Sequence, residues 1–173
     1  MAALMYRHFN NVMELYIIEN YKERYPDLKG STLTDQLIKD CLMEYGMQSA
    51  QVLRTPKGKP FVGGLHLSVS HGGDYFVCLI ADKPVGIDVQ ENRKVAADKI
   101  AERYFTDAEI KYMEENKESG FFILWTRKEA YSKLTGEGLA EVLRGTEVLE
   151  RKDVQFTDFQ LEDGVWCSYC IEV

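Results

Sequence analysis

Asp88, Glu129 and Lys133 are residue types that could together hold a metal ion and a phosphate, and their settings deserve reading before anything else in the chain. In "GIDVQ", Asp88 lies in an apolar strand-like run, where a carboxylate is uncommon without a partner, and Gly86 before it permits close backbone approach. Strand alternation puts Asp88 and Gln90 on one face and turns Glu91 to the other. In "WTRKEAYSK", Glu129 and Lys133 share a helix face about one turn apart. Two carboxylates with open water positions suit Mg²⁺, which takes one or two carboxylates and leaves room for phosphates. Lys133 would then reach a phosphate beyond the metal. Each segment also has an ordinary reading: Asp88 as a strand-end acceptor of backbone hydrogen bonds, and Glu129 with Lys133 as an exposed ion pair worth a few tenths of a kcal/mol.

Two further segments could meet an anion. "SVSHGGD" brings Ser70 and His71 to a glycine turn with free backbone N–H groups, and "PKGKP" holds Lys57 and Lys59 on a stiff turn. A solvent-facing histidine and a charged loop are the local alternatives. A serine-hydrolase role for Ser70 fails for lack of a strand-to-helix elbow.

The elements that must position these residues follow from periodicity. "MELYIIE" reads as a strand, and "STLTDQLIKDCLMEYGM" as an amphipathic helix with Leu33, Leu37, Ile38, Leu42 and Met43 at helical spacing and Ser31 or Thr32 as N-cap. "LHLSVSHGGDYFVCLIA" reads as a hairpin turning at "HGGD". "AADKIAERYFTDAEIKYMEEN" and "FFILWTRKEAYSKLTG" are helical, with Gly136 as a C-terminal stop. The rest of the C-terminal region reads as short strands. Residues 1–83 and 97–173 thus form two α+β halves, with 84–96 a linker that carries Asp88 in a short strand.

The 173 residues, 45% hydrophobic and 28% charged, describe an ordinary globular chain with enough apolar surface for a core. A net charge of −7 argues against general nucleic-acid binding, so any anionic ligand needs a local basic patch. Cys41, Cys78, Cys167 and Cys170 form no disulfide framework and read as reduced thiols of a cytoplasmic protein. "CSYC" has zinc-knuckle spacing, but strand alternation would part Cys167 from Cys170, and there is no second pair. The N-terminal stretch has neither a signal-peptide layout nor a spanning apolar run.

Taken in order, "GKP", "SVSHGG", "GIDVQ" and "WTRKEAYSK", with "RYF" at Arg103 to Phe105 between the last two, resemble the signature of the Sfp-type 4′-phosphopantetheinyl transferases over roughly Lys57 to Leu139. The resemblance implies a pseudo-twofold pair of α+β halves with the active site at their junction. It implies transfer of the phosphopantetheine arm of coenzyme A to a serine of an apo acyl or peptidyl carrier protein, with Mg²⁺, releasing 3′,5′-ADP. By motif, Gly58, Lys59 and Pro60 would lie along the adenine end of coenzyme A, and Ser70 and His71 would bind its 3′-phosphate. Asp88 and Glu129 would hold the metal, with Gln90 where many relatives carry an acid. Glu129 would be the base, and Lys133, with Lys128, would neutralise the phosphate under attack. Relatives often place a basic residue at the start of the first helix, where this chain has Lys29 followed by Gly30 and Ser31. Arg93, Lys94 and Arg103 would offer a carrier-docking patch, or stand as solvated charges. The expected partners are coenzyme A and the carrier, without nucleic acid or membrane, and the expected state is a monomer. The alternatives are a non-catalytic module that binds coenzyme A or the carrier, and a Mg²⁺-dependent transferase acting on another phosphate ester.

Overall fold

"YFVCLIA" lacks any polar alternation because the strand it forms is covered on both faces. The structure, a computed structural model, describes residues 4–9 and 13–173. Residues 1–3 and 10–12, part of the stretch read above for a leader or membrane segment, lie outside the described residues. The strands are β1 (Leu4–Phe9), β2 (Met13–Glu19), β3 (Leu53–Arg54), β4 (Pro60–Phe61), β5 (His66–Gly72), β6 (Tyr75–Ala81), β7 (Val85–Glu91), β8 (Val154–Glu162) and β9 (Val165–Glu172). The helices are α1 (Tyr21–Arg24), α2 (Gly30–Glu44), α3 (Ala97–Tyr104), α4 (Asp107–Glu115), α5 (Lys117–Thr135) and α6 (Leu139–Val142).

A four-stranded antiparallel sheet runs β1-β2-β6-β5, and a three-stranded one runs β7-β9-β8. One face of the first sheet, with Tyr16, Ile18, Phe76, Cys78 and Ile80, packs on Leu37, Ile38, Cys41 and Leu42 of α2. Its other face, with Leu15, Ile17, Val77 and Leu79, meets Val85, Ile87, Val89, Val165 and Cys167 of the second sheet. The remaining face of the second sheet is covered by α5. The order of layers is therefore helix, sheet, sheet, helix, and β6 is buried at every residue. The mixed α+β class follows from the pattern as expected.

Alternation accounts for where the polar residues of β7 go. Val85, Ile87 and Val89 take the inter-sheet core, which leaves Gly86, Asp88 and Gln90 facing α5. The same rule parts the cysteines of β9, with Cys167 between the sheets and Cys170 beside Ala130 of α5.

Two glycines set how closely the layers approach. A Cβ on Gly86 would stand 1.8 Å from the Ala130 carbonyl oxygen of α5, and one on Gly72 would stand 2.7 Å from the Val89 carbonyl oxygen. Strand β7 is thus pressed against α5 on one side and β5 on the other. Ser68 Oγ accepts from the Ile87 N–H at 3.0 Å where β5 and β7, both edge strands, run side by side.

The hairpin forms as read, with Gly72 opposite Tyr75 across a two-residue turn. The segment 84–96, expected as a linker, instead supplies β7 as a strand of the second sheet, paired with β9 from Val85 to Glu91. Only the segment 92–96 connects. The expected helix 96–116 breaks at Phe105, since Thr106 and Glu109 form a capping box that starts α4 afresh. Helix α2 begins without a side-chain cap, and Thr32 donates back to the Lys29 carbonyl. The C-terminal region holds α6 and two long strands rather than several short ones. Among the described residues, no helix is long and apolar enough to cross a membrane.

Candidate active site

Asp88 is almost fully buried between β5, β9 and α5, and its two oxygens are met by three donors. Ser70 Oγ donates to Oδ1 at 2.7 Å, Lys133 Nζ lies 2.7 Å from the same oxygen, and Gln90 Nε2 donates to Oδ2 at 2.9 Å. Lys133 Nζ also donates to the Ile87 carbonyl at 3.0 Å. The bond to Oδ2 commits the amide nitrogen of Gln90, so its carbonyl oxygen is the end left for any other partner.

Glu129 shares the face of α5 that carries Lys133 and is half-buried. Its carboxylate makes no hydrogen bond or ion pair among the described residues. Burial pushes its pKa up from the ordinary value, the Asp88 charge pushes it further, and Lys133 offsets part of the rise. A half-buried carboxylate without a donor, beside a second carboxylate, is short of positive charge. That is the electrostatic setting a divalent cation relieves, so Asp88 and Glu129 fit the oxygen chemistry of Mg²⁺. Among the described residues no group of three or more His, Cys, Asp or Glu is gathered, and the remaining ligands of such an ion would come from water, phosphate or Gln90.

Two clefts lie on these elements, one reaching this centre through Lys133 and the other at the start of α2. One, of about 340 Å³, is lined by Lys57, Gly58, Lys59, Pro60, Ser68 and Lys133, with Arg54 at its side. The other, of about 370 Å³, is lined by Tyr21, Lys22, Lys29, Gly30, Thr34 and His71 at the start of α2. Both walls are basic, so a chain of net charge −7 still presents local anion sites.

Strand alternation separates Ser70 from His71. Ser70 turns inward to Asp88, whereas His71 takes the α2 side of β5, its ring 5.7 Å from that of Tyr21. The expectation that both meet one phosphate is corrected: only His71 lines the second cleft. Burial holds the imidazole pKa below its ordinary value, Lys133 and Lys22 lower it further, and Asp88 opposes them. Lys29, at the helix start, lines the same cleft, as does Lys22, which the sequence reading passed over.

Lys128 is not at the site. It is fully buried on the other side of α5, with Nζ 2.9 Å from Glu109 Oε1 and 2.6 Å from the Thr146 carbonyl, over the ring of Phe105. One residue along a helix turns the side chain by about 100°, which is why Glu129 and its neighbour part so completely. Lys59 lines the first cleft, and its ammonium turns to backbone carbonyls at the end of α5. Trp125 and Tyr131 pack, the former stacked on Phe121 and the latter donating to Asp153. Arg93 and Lys94 are exposed, and Arg103 lies over the ring of Tyr104.

The four cysteines are buried thiols. Burial raises the Cys167 thiol, and pushes that of Cys170 to about 12, which suits packing and not metal binding.

With this geometry in place, comparison with known proteins has a physical counterpart. The profile of the 4'-phosphopantetheinyl transferase superfamily matches residues 84–172, the span that begins just before β7 and ends with β9. The 4'-phosphopantetheinyl transferase psf-1 of Bacillus pumilus is 36% identical over 124 residues, covering 66% of this chain and 53% of that protein. The 4'-phosphopantetheinyl transferase gsp of Aneurinibacillus migulanus is 33% identical over 127 residues, covering 69% and 52%. A 4'-phosphopantetheinyl transferase of Bacillus subtilis is 30% identical over 148 residues, covering 80% and 65%. The chain thus spans about half the length of the first two. The profile spans just over half of this chain and takes in both the strand of Asp88 and the helix of Glu129 and Lys133. This chain belongs to the 4'-phosphopantetheinyl transferase superfamily.

Proposed function

We propose that this protein transfers the 4′-phosphopantetheine arm of coenzyme A to a serine of an apo acyl or peptidyl carrier protein, releasing 3′,5′-ADP, with Mg²⁺ as cofactor. The observation that carries the reading is the half-buried Glu129 carboxylate, without a hydrogen-bond partner among the described residues and within the fields of Asp88 and Lys133, with Lys133 itself lining a basic cleft. Asp88 and Glu129 would hold the metal, with the Gln90 carbonyl oxygen as a third, weaker ligand. The bound metal would neutralise pyrophosphate charge as the phosphoanhydride bond between the pantetheine-bearing phosphate and 3′,5′-ADP breaks.

The chain's own residues then divide the work. Gly58, Pro60 and the stem of Lys59 form a wall for the adenine end, and His71, Lys22 and Lys29 offer charge and hydrogen bonds to the 3′-phosphate. Ser70 holds Asp88 in place through its hydrogen bond to Oδ1 rather than touching the ligand. Lys133 Nζ stabilises charge on the phosphate under attack and can return a proton to the leaving oxygen. Glu129 takes the proton of the carrier serine, directly or through a water, as that oxygen attacks in line. Its raised pKa makes it a stronger base than an exposed carboxylate. A single chain supplies every one of these groups, which supports a monomer, and its two halves, each an antiparallel sheet under one long helix, support a pseudo-twofold relation. Four reduced thiols support a cytoplasmic setting.

Incubation with coenzyme A, Mg²⁺ and a panel of apo carriers, read by intact mass, tests the reading: one carrier at least gains a single phosphopantetheine. A second reading, a module that binds coenzyme A without turnover, is favoured by Gln90, whose amide nitrogen is spent on Asp88. It predicts coenzyme A binding that is indifferent to Mg²⁺, with no carrier modified.

A further inference from the structure

The turn between β3 and β4 belongs to the first half, yet its two lysines are spent on the second. Lys59 Nζ lies 2.5 Å from the Lys133 carbonyl oxygen, 3.2 Å from that of Leu134 and 3.5 Å from that of Val85. Lys57 Nζ lies 2.8 Å from the Gly136 carbonyl oxygen and 3.4 Å from that of Glu137. A helix ends with carbonyls that have no partner within the helix and with a partial negative charge, and an ammonium with three donors answers both needs.

The placement of these acceptors is the informative part. Lys133 is the residue whose side chain meets Asp88, and Val85 opens the strand that carries Asp88. Lys59 therefore joins the backbone of the helix bearing Glu129 and Lys133 to that of the strand bearing Asp88, from a third element. The turn that holds it is itself fixed: the Thr55 N–H donates to the Lys59 carbonyl at 2.9 Å, the Lys59 N–H to Thr55 Oγ1 at 3.1 Å, and Arg54 Nη1 to the Gly58 carbonyl at 2.8 Å. Among the described residues none of the hydrogen-bond partners of the Lys59 ammonium is a carboxylate, so the negative end of α5 is its counter-charge. Burial lowers its pKa, as expected of an ammonium drawn away from water.

We propose that Lys59, supported by Lys57, is a positioning residue that clasps the end of α5 to the start of β7 and thereby fixes how Glu129 and Lys133 face Asp88. The role in catalysis rests on the transferase reading above, but the clasp itself does not. Because Lys59 also lines the first cleft, the competing role is that its ammonium turns to bind coenzyme A.

The test uses the full chain with Lys59→Met, Lys59→Arg and Lys57→Met, read by amide hydrogen exchange, coenzyme A calorimetry and steady-state transfer. For Lys59→Met, exchange at Leu134 to Gly136 in the ligand-free protein should speed by about tenfold or more, while coenzyme A affinity stays within about twofold. The value of kcat should fall by about tenfold with KM for coenzyme A little changed. Lys59→Arg should restore most of the protection. Unchanged exchange overturns the proposal, whether or not coenzyme A affinity falls. If the Met variant does not fold, Lys57→Met must speed exchange at Gly136 and Glu137, and its failure to do so overturns the proposal equally. Absence of transfer by the unaltered protein would remove the transferase reading, and the exchange measurements would still decide the clasp.

Discussion

Lys133 Nζ lies 2.7 Å from Asp88 Oδ1 and 3.0 Å from the neighbouring Ile87 carbonyl oxygen, so one ammonium joins the helix of the candidate base to the strand of the candidate metal ligand. The lysine side chain is 29% exposed and the aspartate 3%, which makes the pair accessible from one side only. Lys133→Met leaves Asp88 with Ser70 and Gln90 but no charge partner. After discount for the exposed lysine, a loss of about 1–3 kcal/mol is expected in urea unfolding, along with loss of transfer. Asp88→Asn, in contrast, should lose transfer with a smaller change in stability.

Glu129→Gln separates activity from stability. A carboxyl whose folded-state pKa is raised contributes stability that is fully present below its unfolded value of about 4.5 and is lost as pH rises through the folded value. The ionised Glu129 is therefore a burden at neutral pH that the amide lacks. The variant should melt at or above the temperature of the parent at pH 7.5, with the gap closing towards pH 4. Its transfer rate should fall by about 10²-fold or more. Mg²⁺ should raise the melting temperature of the parent and raise that of the variant less. Transfer by the parent should decline on acidification through a pKa above the ordinary carboxylate range, since the base must be ionised.

Lys128 and Glu109 should behave as structure rather than as ligand contacts. Both are fully buried, and Glu109 also accepts from the Val148 N–H at 3.0 Å and from the Thr106 N–H at 2.9 Å. Lys128→Met is expected to cost about 3–5 kcal/mol in chemical unfolding by stranding the carboxylate, with coenzyme A affinity of the folded fraction unchanged. A tenfold loss of affinity without loss of stability would return Lys128 to the ligand.

Gly86→Ala should act on the same site from behind. Its methyl would overlap the Ala130 carbonyl oxygen, which is backbone and cannot swing aside, so α5 must shift from β7. A loss of about 1–3 kcal/mol and a fall in transfer are expected, measured by thermal unfolding and by carrier modification.

The sequence made some of this legible and hid the rest for physical reasons. The β5–β6 hairpin could be read because alternation runs straight into a two-residue glycine turn, a purely local signal. The pairing of Asp88 with Gln90 and of Glu129 with Lys133 on common faces also followed from strand and helix periods alone. Strand β7 was harder to place, because its ladder partner β9 lies far along the chain and nothing local distinguishes a sheet strand from a linker. The partner of Lys128 is on another helix, although the T-x-x-E at Thr106 to Glu109 already marked a capping box. Ser68 was open to the rule that placed Ser70, since the two share a face. The turn of Lys59 towards the end of α5 depends on how the halves dock, which periodicity does not encode.

The most direct test is the mass of an apo carrier after incubation with coenzyme A and Mg²⁺, with the protein and with Glu129→Gln run side by side. One phosphopantetheine added to the carrier serine by the protein, and none in the same time by the folded variant, is the predicted result. An unmodified carrier throughout the panel with folded protein, or equal modification by the variant, would contradict it.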